Sequence, residues 1–190
     1  MSTWQLDPAH SSIGFSTRHM MVSNVRGQFR DFTLDVDFDP EHPELGHVVA
    51  VIVASSIDTG QEQRDTHLRS ADFLDVVAHP TITFTSTGVV PRPDGTFALN
   101  GDLEILGQVR PITLGVDLLG QVANPKGGRS AGVSSTTKIS RKAWGLTWNV
   151  GMEAGGLLVG DEIKVEVELE LVRPAIAADA AEVQVPVVVA

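Results

Sequence analysis

The residues best suited to chemistry form one short charged segment in the first half of the chain. Arg64, Asp65 and His67 lie within four positions of one another, and the segment from Gln61 to Arg69 consists mostly of good helix formers. Opposite charges this close can bind the polar headgroup of a small molecule, with Arg18 as a further candidate. They can equally form a helix-terminal ion pair that only fastens the helix to the rest of the fold. Both interpretations stay open.

The remaining chemistry-bearing residues do not form a recognised catalytic or metal-binding motif. His10 and His19 belong to a set of 6 scattered histidines without a His-x-His pair or a His-Glu-x-x-His helix, so we expect no metal site. The absence of cysteine excludes disulfides, thiol catalysis and cysteine-ligated metals. There is no P-loop and no dinucleotide-binding glycine motif. We therefore expect no catalytic residues, no cofactor and no enzymatic activity.

The overall charge narrows the range of partners. A formal net charge of -10 does not suit a nucleic acid or an anionic membrane surface, because both require clustered lysine and arginine. The apolar runs are too short to span a bilayer, so we expect no stable membrane insertion. The segment Met1 to Asp7 lacks the basic and apolar regions of a secretory signal, which predicts a cytoplasmic location.

The elements that must position any site are β-strands, because the dominant hydrophobic period is two. Alternation of apolar and polar residues directs one set of side chains to an interior and the other to water. Val48 to Ala54 is apolar at every position, which indicates a strand covered on both faces or one that meets another subunit. Together these segments predict about eight strands. The alternating segments are 12–17, 32–39, 81–85, 97–105, 112–118, 131–139 and 163–171.

Short turn signals separate the strands, and two stretches interrupt the pattern. Turns rich in proline and glycine, such as Pro91 to Gly95 and Asn124 to Gly128, predict antiparallel neighbours. Leu68, Phe73 and Leu74 can anchor the predicted helix over one end of the sheet.

A glycine-rich stretch from Ala143 to Gly160 carries Trp144, Trp148 and Met152. These side chains either line or gate the interior or simply pack the loop against the sheet. We expect residues 174–190 to form a C-terminal tail that is flexible or packs on a neighbouring chain.

A sheet with one apolar face needs a cover, and no long amphipathic helix is present to supply it. The sheet must cover itself, either by closing into a barrel, which also removes exposed edges, or by folding as a sandwich. An eight-stranded barrel is either filled by side chains or able to hold one ligand. Aromatic residues are only 5% of the chain, and several inward positions are small, which favours a hollow interior. These small positions are Ser86, Gly101, Ala131, Ser135 and Thr137.

Several stretches of the sequence match the motifs of one known family, among them Asp7 to Ser11, Arg18 to Ser23, Ser56 to Gly60, Arg64 to Leu74, His79 to Phe84, Pro111 to Leu114, Arg141 to Leu146 and Val159 to Ile163. Together they resemble the YceI-like family, and the resemblance extends from about residue 4 to residue 173. It implies an all-β fold, an eight-stranded antiparallel lipocalin-like barrel over residues 1–173 with one or two short helices. It also implies binding of a polyisoprenoid or related amphiphile, and many relatives are periplasmic or secreted.

We therefore interpret the chain as a non-catalytic protein that stores, transports or senses a long hydrophobic amphiphile. A polyisoprenoid or isoprenoid quinone is favoured, and a fatty acid or amide also fits. Val48 to Ala54 and the valine-rich tail suggest a homodimer. Arg18, Arg64, Asp65 and His67 are the candidates for the polar end of the tunnel. The predicted tunnel lining is Ile13, Phe15, Phe32, Leu34, Val36, Ile82, Phe84, Leu99, Leu103, Ile112, Leu114, Val133, Trp144 and Trp148.

Two other functions remain as alternatives. A small-barrel enzyme acting on a hydrophobic substrate would hold a buried pair of groups with perturbed pKa values inside its cavity. A stress-related interaction protein would instead have a barrel filled by its own side chains.

Overall fold

The computed structural model describes residues 3–39, 42–125, 127–151 and 157–175. Met152 and most of the predicted tail, residues 176–190, lie outside this part of the chain. One α-helix, α1, spans Glu62–Arg69, where the sequence predicts it. The strands are β1 Thr3–Leu6, β2 Ser12–His19, β3 Ser23–Phe29, β4 Phe32–Asp37, β5 His47–Val53, β6 Ile57–Asp58, β7 Thr81–Pro91, β8 Phe97–Ile105, β9 Gln108–Ala123, β10 Arg129–Ser140 and β11 Val159–Arg173.

These strands form a closed antiparallel barrel, which confirms the predicted fold class. β1 closes it by pairing with β4 on one side and with β11 on the other. β1 and β2 both pair with β11 and together occupy one position around the barrel. β3 and β4 together occupy the next position, and β5 and β6 together occupy the position after that. Counting each of these pairs as one broken strand, the described part of the chain forms an eight-stranded barrel.

The two ends of the barrel differ in the length of their connections. At the hairpin end, β7 turns to β8, β9 turns to β10, and β4 joins β5 through residues 38–46. At the helix end, residues 54–80 carry α1, and residues 141–158 join β10 to β11. The long connections have enough chain to cover one end, whereas the hairpins leave the other end less covered.

A packed core closes the helix end. Leu74 of the helical connection and Trp144 of the β10–β11 connection are buried in one cluster with Ile57, Ile82 and Ile105. Leu68 of α1 packs against the same cluster. The prediction that Leu68, Phe73 and Leu74 hold a helix over one end is therefore confirmed, with Phe73 and Leu74 both buried.

A second cluster fills part of the interior nearer the hairpin end. Trp4 on β1 is only 2% exposed and packs with Val36, Ala131 and Leu171. Its indole Nε1 donates a hydrogen bond to the carbonyl oxygen of Phe38 at 3.1 Å. Because tryptophan carries one polar atom, this bond lets the whole side chain be buried without an unsatisfied donor.

The inward small residues do not all leave open space. Gly101 has no side chain because the ring of Phe84 occupies that position, and Ala131 makes room for Trp4. Ser86 is buried, and its hydroxyl accepts a hydrogen bond from the backbone N–H of Val48 at 2.8 Å. Of the small positions that the sequence suggested, Ser135 and Thr137 line the interior cavity.

Three strand segments were not predicted. The alternation in β3 is interrupted at Gly27, where a side chain would collide with the ring of Phe15 from β2. β1 and β6 are too short to show a period. Val49, Val51 and Val53 on the outer face of β5 are half-buried between neighbouring strands, so a second subunit over that face stays a prediction.

No helix among the described residues is long and apolar enough to cross a membrane.

Replacing Gly101 with alanine tests the close packing of β8 on Phe84. A Cβ there would overlap the Phe84 ring and lie 2.6 Å from the carbonyl oxygen of Thr85. We expect Gly101→Ala to lower the free energy of unfolding by about 1–3 kcal/mol, measured by urea denaturation. Gly88→Ala on β7 is the matched control, since nothing lies within 4 Å of the point that a Cβ would occupy there. Its free energy of unfolding should change by less than about 1 kcal/mol. Equal losses in both variants would contradict this account.

Candidate functional site

The barrel encloses an elongated cavity of about 190 Å³. Almost every strand of the closed barrel contributes inward side chains to its wall, as period-two alternation requires. The lining residues are Ile13, Leu34, Val36, Asp37, Phe38, Gly46, Val48, Ala50, Ile52, Phe84, Val89, Phe97, Leu99, Leu103, Ile112, Leu114, Val116, Leu118, Val133, Ser135, Thr137, Ile139, Val165, Val167, Leu169 and Leu171.

The cavity wall is apolar, and its polar members have distinct positions. The cavity is partly open, and because the helix end is a packed core, its opening lies toward the hairpin end, where Asp37 and Gly46 border it. Ser135 and Thr137 lie on β10, in the interior part of the wall. The Thr137 hydroxyl is 3.5 Å from the carbonyl oxygen of Thr113. No lysine, arginine or histidine lines the cavity in the described ranges.

The predicted lining divides into two groups. The residues in the cavity wall are Ile13, Leu34, Val36, Phe84, Leu99, Leu103, Ile112, Leu114 and Val133. These residues point inward by alternation, and their contact with a ligand stays a prediction.

Five predicted lining residues lie outside the cavity wall of the structure, and their contact with a ligand stays a prediction. Phe15, Phe32, Ile82 and Trp144 belong to the packed core at the helix end or contact it. Trp148 packs on the helical connection, with its ring 4.6 Å from that of His67 and 5.1 Å from that of Phe73. A side chain that points inward can lie either in the packed layer of the barrel or in the wall of its cavity. The alternation pattern does not distinguish these two positions.

The cavity wall also contains residues that were not among the predicted lining. β11 contributes Val165, Val167 and Leu169, and β5 contributes Ala50 and Ile52. The β11 residues alternate with charged residues, so the period-two pattern is sufficient to find them. Residues 48–53 of β5 are all apolar, so their sequence does not reveal which face points inward.

Arg64 and Asp65 fix the turn that precedes α1 and do not border the opening of the cavity. Asp65 is 4% exposed and accepts hydrogen bonds from the backbone N–H of Thr59 at 3.0 Å and from its hydroxyl. Arg64 donates to the Thr59 hydroxyl at 2.7 Å and to the Thr59 carbonyl oxygen at 3.0 Å. The two side chains thus fasten α1 to the preceding turn, as the structural interpretation of this segment predicts.

The other two candidates for the polar end also lie outside the cavity wall. His67 lies 2.9 Å from the carboxylate of Asp72 and packs edge-on against Phe73 and Trp148. Arg18 is exposed on β2, which runs toward the helix end. The structure therefore does not place Arg18, Arg64, Asp65 or His67 at the hairpin end, where the cavity reaches the surface. Ligand contact at these residues stays a prediction.

Arg141 organises the long β10–β11 connection, and the sequence analysis did not identify it. Its guanidinium is buried and donates to the carbonyl oxygens of Leu146, Trp148 and Gly160, the last at 2.9 Å. Burial lowers the pKa of Arg141, and the charge of Asp161 opposes that shift. Because several carbonyl groups receive these bonds, the connection keeps its backbone satisfied while it covers the helix end.

A family model for the YceI-like domain matches residues 4–171. The chain belongs to the YceI-like family. A UPF0312 protein from Vibrio cholerae is 36% identical over 138 residues, which are 73% of this chain and 73% of the relative. The Campylobacter jejuni YCEI protein is a solved structure with a TM-score of 0.70 and 29% identity, over 93% of this chain and 100% of that one.

A more distant solved structure shares the fold of this YceI-like chain. It is a polyisoprenoid binding domain from Saccharophagus degradans, implicated in plant cell wall breakdown. Its TM-score is 0.61 at 16% identity, over 92% of this chain and 100% of the other domain. At this identity the comparison establishes the barrel alone.

Two polar groups on the YceI-like barrel resemble functional sites but have ordinary partners. The expectation that the chain holds no recognised catalytic motif needs one correction, because residues 128–132 read Gly-x-Ser-x-Gly. This stretch lies at the start of β10 and not on the strand-to-helix turn that a serine nucleophile of this motif occupies. Its Ser130 hydroxyl accepts a hydrogen bond from the side-chain amide of Asn124 at 2.9 Å. His10 is exposed and lies 3.0 Å from Asp7 and 3.8 Å from Glu170, which places three potential metal ligands together. Exposed ion pairs of this kind are common without a metal.

Replacing Asp65 with asparagine separates the two interpretations of the charged segment. The amide keeps one accepting oxygen but replaces the other with an N–H donor that faces the backbone N–H of Thr59, and it removes the negative charge, so we expect the free energy of unfolding to fall by about 1–3 kcal/mol. Asp72→Asn is the control, because Asp72 is exposed and its replacement should cost less than about 1 kcal/mol. Urea denaturation measures both. Unchanged stability of Asp65→Asn together with weaker binding of hexadecan-1-ol would instead support a headgroup site.

Proposed function

We propose that the chain binds one long hydrophobic amphiphile in its barrel without chemically changing it. The observation that carries this proposal is the apolar cavity of about 190 Å³ that reaches the surface at the hairpin end. Burial of apolar surface there is favourable by about 25 cal/mol per Å². The wall is preformed by the strands, so a ligand does not have to order it.

The size of the cavity sets how much of a ligand it receives. An apolar cavity of roughly 150 Å³ holds one benzene molecule. The present cavity is somewhat larger and elongated along the barrel, so it accommodates a segment of hydrocarbon chain. A longer chain must extend past Asp37 and Phe38 or displace lining side chains. Affinity is therefore expected to depend on chain length up to a limit.

The polyisoprenoid class is favoured by two further points. The chain belongs to the YceI-like family, and the solved barrel from Saccharophagus degradans is described as a polyisoprenoid binding domain. The lining is rich in branched residues such as Val133, Val165 and Val167, whose methyl groups can interlock with a branched chain. Prenols and isoprenoid quinones thus fit better than straight fatty-acyl chains.

The alternative functions receive less support from the cavity. The apolar cavity of about 190 Å³ favours a hollow barrel over one filled by its own side chains. An enzyme would require reactive groups in the cavity, whereas the groups with shifted pKa values, Asp58, Asp94 and Arg141, do not line it. For Asp58 the backbone N–H of Gly60 and the side chain of Arg30 lower the pKa, as expected for a hydrogen-bonded turn.

Native mass spectrometry of gently purified protein, followed by lipid extraction, tests whether the barrel carries a ligand. Titration then compares straight alcohols from eight to twenty carbons with prenols of equal carbon number. We expect affinity to rise about fourfold per buried methylene, since each contributes about 0.8 kcal/mol, and then to level off. At equal carbon number, the prenol should bind more tightly than the straight alcohol. A bare protein that binds none of these probes would refute the proposal.

Two variants on one strand locate the binding site. Val133→Phe directs a ring into the cavity, so we expect hexadecan-1-ol affinity to fall at least about tenfold, equivalent to 1.4 kcal/mol. Thr136→Phe places the same ring on the exposed face of β10 and should leave affinity unchanged. Thermal unfolding confirms that both variants are folded. Equal affinities in the two variants would show that the ligand binds elsewhere.

A further inference from the structure

The turn between β2 and β3 exposes three consecutive apolar side chains. Met20, Met21 and Val22 are 43%, 67% and 81% exposed. The preceding residue, His19, pairs with Val159 at the start of β11, so the turn projects from the helix end of the barrel, away from the cavity opening. Single exposed apolar residues are ordinary on a protein surface, whereas adjoining ones indicate a contact with something other than water.

The backbone of this turn is unfavourable for the residues that form it. Met20 has a φ of 52° and Met21 a φ of 62°. The backbone N–H of Val22 donates to the carbonyl oxygen of His19 at 3.1 Å and closes the turn. Positive φ at both central positions is typical of a type I′ turn, where asparagine and glycine are favoured and methionine is strained. Folding stability therefore does not explain the two methionines, whose flexible side chains suit an irregular contact surface.

The hairpin that carries this tip is cationic, although the chain as a whole is acidic. Residues 12–29 contain Arg18 and Arg26 and no aspartate or glutamate, whereas the whole chain has a net charge of -10. Both arginines are exposed, and neither forms an ion pair within the described part of the chain. Two cations that make no ion pair thus lie on the strands directly behind the apolar tip.

The acidic residues of the adjoining strand β11 do not cancel this local charge. Asp161 accepts a hydrogen bond from the hydroxyl of Ser140, and Glu162 lies 2.9 Å from the ammonium group of Lys138. Further along, Glu170 lies about 36 Å from the start of the strand at 3.3 Å per residue. This distance exceeds the screening length of about 8 Å at physiological ionic strength. The net charge of the chain therefore does not determine what the tip contacts.

We propose that the tip of the β2–β3 hairpin docks the barrel on an anionic bilayer surface. Met20, Met21 and Val22 enter the interface, while Arg18 and Arg26 contact lipid phosphates. Burial of apolar side chains together with attraction to anionic lipids is how proteins bind a membrane surface without crossing it. A projecting turn does not form the concave pocket that a small molecule requires, whereas a bilayer yields to it. Three side chains give a reversible contact and not stable insertion.

Co-sedimentation with vesicles tests the apolar tip. The vesicles contain equimolar phosphatidylcholine and phosphatidylglycerol, and the wild-type protein should sediment with them. The double variant Met20→Asn/Met21→Gly removes both methionines but supplies the residues that the turn favours. We expect its vesicle affinity to fall at least about tenfold while thermal stability stays equal or rises. Val122→Asn is the matched control, because Val122 is also exposed but lies at the hairpin end, and it should bind vesicles like the wild type.

A second pair of variants tests the charge. Arg26→Gln should lower vesicle affinity roughly fivefold, whereas Arg92→Gln removes the same charge at the hairpin end and should have no effect. Vesicles of phosphatidylcholine alone should bind the wild type less well, and added salt should weaken binding to the anionic vesicles. Equal affinity of Arg26→Gln and the wild type, together with equal affinity for both vesicles, would refute an anionic surface as the partner.

The remaining outcomes separate this inference from the proposed function. A wild-type protein that sediments with neither vesicle would overturn the docking proposal, as would a loss in Val122→Asn equal to that of the tip variant. Because the tip and the cavity opening lie at opposite ends, Met20→Asn/Met21→Gly should bind hexadecan-1-ol from cyclodextrin as the wild type does. Loss of vesicle binding with retained alcohol binding supports docking through the tip, whereas loss of both in this variant would refute a separate docking site.

Discussion

The structure depends on a geometric constraint, namely that the inward side chains of the closed barrel do not meet across its middle. Barrels of this strand number lie at the limit where side chains either fill the interior or leave a void. In this protein the interior is filled at one part of the barrel axis and hollow at another. Near the helix end, large side chains such as Trp144 and Ile82 pack into a solid layer. In the middle, Val133, Ser135 and Thr137 are too short to reach the opposite wall, so the cavity remains.

The helix end is closed by polar contacts as well as by packing. Its two long connections carry backbone groups that are outside the sheet and must find other partners. Arg141 donates to carbonyl oxygens of its own connection, and Asp65 and Arg64 bind Thr59. Arg69 donates to the carbonyl oxygens of Ser55 and Ile57. The charged residues that attract attention in the sequence are therefore used to close the barrel, and the chemistry of binding is left to an apolar wall.

The sequence predicted the barrel well because its strands have one buried face, and alternation reports that face directly. Leu34, Leu99 and Leu114 were placed in the wall by parity alone. The alternation pattern does not show how far along the barrel axis a residue lies. Phe15 and Ile82 were therefore assigned to the cavity lining, although they belong to the packed core at the helix end.

The sequence could not distinguish small residues that leave space from those that accommodate a neighbour. Gly101 and Ser135 are both small residues at inward positions, but the ring of Phe84 occupies the space beside Gly101, whereas Ser135 borders the cavity. For Arg64 and Asp65 the sequence left two roles open. Charge spacing shows that two groups can interact, whereas only the fold shows that Thr59 lies between them and is their partner.

The energetics of an oily ligand explain why a few lining residues matter more than the total apolar area. Against water, each buried methylene contributes about 0.8 kcal/mol, but a long amphiphile in a cell resides in a membrane and not in water. Transfer from bilayer to barrel is nearly neutral per carbon, so chain length alone selects no ligand. Selection must come from the shape of the wall and from its rare polar atoms. Among the described residues no lysine, arginine or histidine lines this wall, so an anionic group inside the barrel would find no counterion there.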